Sequence, residues 1–134
     1  MKTDSKILAS YLAAAVWADG EYDEFEKEFV AEIAEELGVN TLQADLETAI
    51  AATGTMTGEE LTETLEAAAK KVDKKEKEGV LSLCLQLMCA DAFLSTDEVE
   101  NFFTFADVLG VDEDAAQALL DELVDEEEDL IIEE

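Results

Sequence analysis

One segment of the chain is written twice, seventy-two positions apart. Residues 18–39 read ADGEYDEFEKEFVAEIAEELGV, and residues 90–111 read ADAFLSTDEVENFFTFADVLGV, with no gap needed to align them. Eight of the twenty-two positions are identical: Ala18/Ala90, Asp19/Asp91, Glu26/Glu98, Glu28/Glu100, Ala34/Ala106, Leu37/Leu109, Gly38/Gly110 and Val39/Val111. Asp-x6-Glu stands in both copies. A duplicated unit constrains the fold strongly, because both copies must be satisfied by one architecture. It also brings two copies of one acidic motif together if the halves are related by a pseudo-two-fold axis.

The elements themselves read as helices. The 134 residues contain no proline, are 49% hydrophobic, and are rich in Ala, Leu, Glu and Lys, which favour helix. No stretch alternates with a convincing period of two. Capping signals divide the chain into seven helices. Ser5 or Thr3 opens the first, which runs to about Ala18 with Ile7, Leu8, Leu12, Ala15 and Val16 at helical spacing. Asp23-x-x-Glu26 opens the second, which ends at Gly38. Asn40-x-x-Gln43 opens a third, to about Ala52, and Thr57-x-x-Glu60 a fourth, to about Val72. Asp73-x-x-Glu76 opens a fifth, to about Ala90. Ser95-x-x-Glu98 opens a sixth, which ends at Gly110, and Asp112 caps a seventh, to about Val124. The expected fold is all-α: two pseudo-symmetric three-helix halves joined by the fourth helix. One domain spans 1–125, and 126–134 is an acidic tail whose Leu130-Ile131-Ile132 is expected to dock on the body, the alternative being a short acidic-hydrophobic peptide for another chain.

The net charge of −28, with no arginine and no histidine, excludes nucleic acid and anionic lipid surfaces as partners. Two readings of the acidity compete: the general habit of a salt-adapted host, or a surface that holds cations or a basic partner. Five of the eight lysines lie in KKVDKKEKEG at the joint of the fourth and fifth helices, and are read as ordinary charge mixing on a solvated surface. Cys84 and Cys89 lie five apart on one helix, turned about 140° from each other, which argues against a mutual disulfide. They read as reduced thiols packing as small hydrophobes, which suits a cytoplasmic compartment. The apolar N-terminal run reads as a core helix rather than a signal segment. No segment has the ~20 apolar residues of a membrane span.

The repeated acids carry the functional expectation. Each Glu falls at the third helical position, where it can cap the backbone and meets the positive end of a helix dipole. Each Asp ends a helix, where the dipole disfavours a carboxylate. If the first and fifth helices pack side by side, Asp19, Glu26, Asp91 and Glu98 converge, and four carboxylates together suit a hard divalent cation, calcium or magnesium first. An EF-hand is rejected, because its first two ligand positions would fall on Ala15 and Trp17. The chain has no histidine, no nucleophile beside a base and no glycine-rich phosphate loop, so an enzyme is not expected. The aromatics read mostly as core residues between the halves. Adjacent Phe102 and Phe103 cannot share a face, so one of them is expected to be half exposed.

The same residues resemble a known family. Ala18-Asp19-Gly20 followed by the capping box to Glu26 resembles the first signature of the TerB-like tellurite-resistance domain, found also in membrane-anchored DnaJ-like co-chaperones. Met88-Cys89-Ala90-Asp91 followed by Ser95 to Glu98 resembles the second. The likeness covers about residues 5–125. It implies an all-helical, pseudo-symmetric cytoplasmic stress-response module with Asp19, Glu26, Asp91 and Glu98 as metal ligands. This chain departs from the pattern at Ala92, where the family often has glycine, and at Ser95, which stands opposite Asp23. It also nearly lacks the lysine-rich surface of some members. A protein partner is expected. A tellurite oxyanion is not expected on so acidic a surface without a cation or a lysine between them. The alternative is an acidic helical protein-interaction scaffold in which the four acids serve as caps.

Overall fold

The computed structural model describes residues 4–19, 24–89, 93–94, 96–126 and 131–132, with the backbone alone at 18–19, 93–94 and 131–132. Seven helices are present among them: α1 (Ser5–Asp19), α2 (Glu24–Leu37), α3 (Leu42–Thr53), α4 (Gly58–Ala69), α5 (Lys77–Met88), α6 (Thr96–Leu109) and α7 (Glu113–Glu126). A two-residue strand, β1 (Phe93–Leu94), pairs in parallel with β2 (Ile131–Ile132). The fold is all-α with this one bridge. No described helix is long and apolar enough to cross a membrane.

Two helices form the centre. In α1, Leu8, Ala9 and Tyr11–Val16 are all buried, so this helix is apolar on every side and lies inside the bundle. In α5, Val80, Leu81, Leu83, Cys84, Leu85, Leu87 and Met88 are buried. Each of these lies seventy-two positions after a buried residue of α1, so the repeat extends upstream of the segment where identity reveals it. Ala9, Ala13 and Ala15 stand in register with Leu81, Leu85 and Leu87, small residues in one copy and large in the other. Alternation of this kind lets two buried helices interdigitate.

The outer helices lean across the centre. α1 packs on α3 and α5, and α5 packs on α6 and α7. α2 reaches α5, and α6 reaches α1. Exchanging α1 with α5, α2 with α6 and α3 with α7 turns α1–α3 into α5–α7 and α2–α5 into α6–α1, but among the described residues α5–α6 has no counterpart of similar extent between α1 and α2. α4 touches both α1 and α6, and Tyr11 ties it down by donating its hydroxyl to Leu65 O at 2.6 Å.

The ends of the helices follow local chemistry. Thr57 caps α4, its hydroxyl accepting from Glu60 N–H at 3.2 Å. Three expected starts differ. Asp4, rather than Ser5, caps α1, accepting from Lys6 N–H at 2.8 Å, while Thr3 lies outside the described residues. α3 begins at Leu42 without a side-chain cap, because the preceding turn already supplies Val39 O to Leu42 N–H. α5 begins at Lys77 rather than near Asp73. The Asp73 carboxylate accepts from Lys75 N–H and its carbonyl from Glu76 N–H, closing a turn ahead of the helix.

The expectation that the aromatics are mostly core residues holds in part. Tyr11, Phe102 and Phe105 are buried, and Phe29 and Phe103 are half-buried. Phe102 and Phe103 stand edge to face with centroids 5.2 Å apart. Trp17 and Phe25 are exposed, against expectation. The side chains of Tyr22 and Phe93 lie outside the described residues.

Candidate functional site

Glu26 is the third residue of α2, and Glu98 is the third residue of α6. In each case the start of the helix follows from the repeated segment itself. Both carboxylates are buried, at 1% and 3% exposure, and Oε2 of each is shut off from solvent. Each residue also takes part in further interactions. Among the described residues they are the only charged side chains that are buried. A glutamate that serves only to cap a helix has no need to leave water, whereas buried carboxylates are held by hydrogen bonds, opposite charge or a metal.

Asp19 closes α1, but its side chain lies outside the described residues, as does all of Asp91. The cap positions Asp23 and Ser95 lie outside them too. Among the described residues, no three acidic, cysteine or histidine side chains come together in a way that would hold a metal. Only two of the four expected ligands, Glu26 and Glu98, have described side chains. Helix α2 packs on α5 and α6 on α1, so each acidic helix meets the central helix of the other copy. The β1–β2 pairing places the C-terminal segment on the connection between Asp91 and Glu98.

The local backbone also rules out an EF-hand. Residues 15–19 are helical, and Ala15 is fully buried, so the first half of a calcium loop has no counterpart. Cys84 is buried and Cys89 half-buried, and they form no disulfide with each other. Burial pushes the Cys84 thiol up to about 12, which makes it a poor nucleophile or ligand.

A second feature went unread in the sequence. An open groove of about 430 Å³ runs between α1, α4 and α6, with Trp17 as one wall and Asp97 and Glu100 on its rim. The available signal was Trp17 itself, the single tryptophan, at the end of the apolar run of α1.

The chain matches no protein-family model, and neither a curated protein nor a solved structure matches it.

Proposed function

We propose that this protein is a TerB-like, non-enzymatic cytoplasmic stress-response module that holds a divalent cation between its two halves. Asp19, Glu26, Asp91 and Glu98 are the ligands, with calcium or magnesium favoured by an all-oxygen set. The observation that carries the reading is the burial of Glu26 and Glu98, at the same helical position in both copies of the repeat, in a chain none of whose other described acids is buried. A cation bridging the halves would tie the arrangement of α2 and α6 to metal or oxyanion stress.

Thermal melts in excess EDTA, then with calcium, magnesium, manganese or zinc, test it. An ionic strength of ~0.5 M swamps generic counterion binding. The expected result is a cation-specific rise in Tm. At one hundred times Kd it amounts to about 2.7 kcal/mol of stability. The rise is lost in Asp19→Asn/Asp91→Asn and in Glu26→Gln/Glu98→Gln. Equal small shifts in wild type and variants would overturn the site and favour the acidic interaction scaffold.

A further inference from the structure

We propose that the groove between α1, α4 and α6 docks a basic amphipathic peptide segment of a protein partner. Its apolar side chains rest on a floor of Ala14, Leu61 and Phe105. A lysine or arginine lies over Trp17, facing Asp97 and Glu100. The proposal stands whether or not Glu26 and Glu98 hold a cation: Asp97 and Glu100 are exposed, whereas Glu98 between them is buried.

Trp17 is the strongest argument. It remains 47% exposed, yet it is held in place twice. Its Nε1 donates to Ile50 O at 3.1 Å, and its ring lies against Gly54, where an added Cβ would come within 2.9 Å of Cζ2. Gly54 has ordinary helical backbone angles, so its missing side chain serves to make room for the indole. An aromatic fixed in this way presents a rigid surface at little entropic cost. Charge then selects the occupant. No described lining residue is basic, two are acidic, and the whole chain carries −28. An anionic partner is repelled. A second copy of this chain brings a further −28, so it too is disfavoured. A cationic side chain gains from the indole face and from the rim carboxylates together, and the field of the whole molecule speeds its arrival.

Because Trp17 is the single tryptophan, its emission reports on the groove alone. The experiment titrates the full chain with a Leu/Lys amphipathic helical peptide lacking aromatic residues, at ~0.5 M salt to suppress polyelectrolyte binding. Oligolysine of equal charge is the control. The expected result is a saturable, one-to-one blue shift with the amphipathic peptide. Oligolysine binds at least about tenfold more weakly and leaves the emission unmoved. Glu100→Lys/Asp97→Asn weakens binding by about tenfold or more, while Glu28→Lys/Glu32→Gln on α2, with the same change of charge, costs less than about threefold. Gly54→Ala displaces the indole without altering charge and weakens binding severalfold by calorimetry. Circular dichroism confirms that the variants are folded. Equal losses in the two charge variants, equal binding of oligolysine, or peptide-free self-association that shields Trp17 would each overturn the proposal.

Discussion

Tyr11 and Cys84 show what burial does to a single ionisable group. Both are fully buried, one on each central helix. Burial raises the pKa of Tyr11 well above its ordinary value of 10, with the neighbouring Cys84 and Glu66 adding to the effect. Burial alone pushes Cys84 from 9 to about 12. In the unfolded chain each group loses its proton near its ordinary value, while in the folded chain each keeps it. From about pH 9 upward the unfolded state therefore binds fewer protons, and stability falls as pH rises. Below that it is whole. Each group contributes a slope of up to about 1.4 kcal/mol per pH unit within its window. Chemical denaturation at pH 8, 9 and 10 is expected to show this decline, with Cys84 responsible for its onset. Cys84→Ala lowers stability at every pH by the loss of packing, but flattens the fall between pH 9 and 10. An unchanged slope in that variant would show that Cys84 is not what makes the fold sensitive to alkali.

At the scale of elements, three of the eight repeated identities belong to one device. Gly38 and Gly110 have φ of 68° and 82° just past the ends of α2 and α6. Val39 N–H returns to Ala34 O at 2.9 Å, and Val111 N–H to Ala106 O at 2.8 Å. This is the Schellman closure, with a left-handed residue where glycine carries no penalty. The space around each glycine is permissive: a Cβ at Gly38 meets nothing within 4 Å, and one at Gly110 meets only Lys77 Nζ, at 3.7 Å. The cost of Gly38→Ala or Gly110→Ala is thus conformational, about 1–2 kcal/mol each by urea denaturation. Gly58→Ala, at the first position of α4 and with open space around it, is expected to raise stability by about 0.5 kcal/mol. Similar effects at all three positions would refute the left-handed argument. These helix ends were legible because one glycine and one cap determine them locally. The start of α5 was less so, since Asp73 can cap a helix or close a turn and the residues around it decide. The repeat singled out Glu26 and Glu98, but not their burial, because a glutamate in an acidic helix reads as surface. Nor was the exposure of Trp17 readable: it depends on Gly54, which folding brings beneath the indole from another helix.

At the scale of the whole molecule, the surface works against its own compactness. Along α2, Glu24, Glu28, Glu32 and Glu36 are all exposed and follow one another at i, i+4 spacing. Each adjacent like-charged pair destabilises a helix by about 0.2–0.5 kcal/mol. Repulsion on this pattern, summed over a net charge of −28, falls away as the screening length shrinks from ~10 Å at 0.1 M salt to ~3 Å at 1 M. Hydrophobic burial in the core of α1 and α5 is not weakened by sodium chloride, so screening acts on the unfavourable side alone. Tm is therefore expected to rise by roughly 5 °C or more between ~0.1 and ~1 M sodium chloride, most steeply at the low end. Glu28→Lys/Glu36→Lys turns the column on α2 into alternating charges. It raises stability at low salt and reduces the salt slope, because part of the repulsion being screened has become attraction. If acidity instead served ion pairing at the lysine-rich joint between α4 and α5, salt would weaken the fold. A Tm that stays flat or falls would then locate the dominant electrostatics at that joint rather than in the acidic faces.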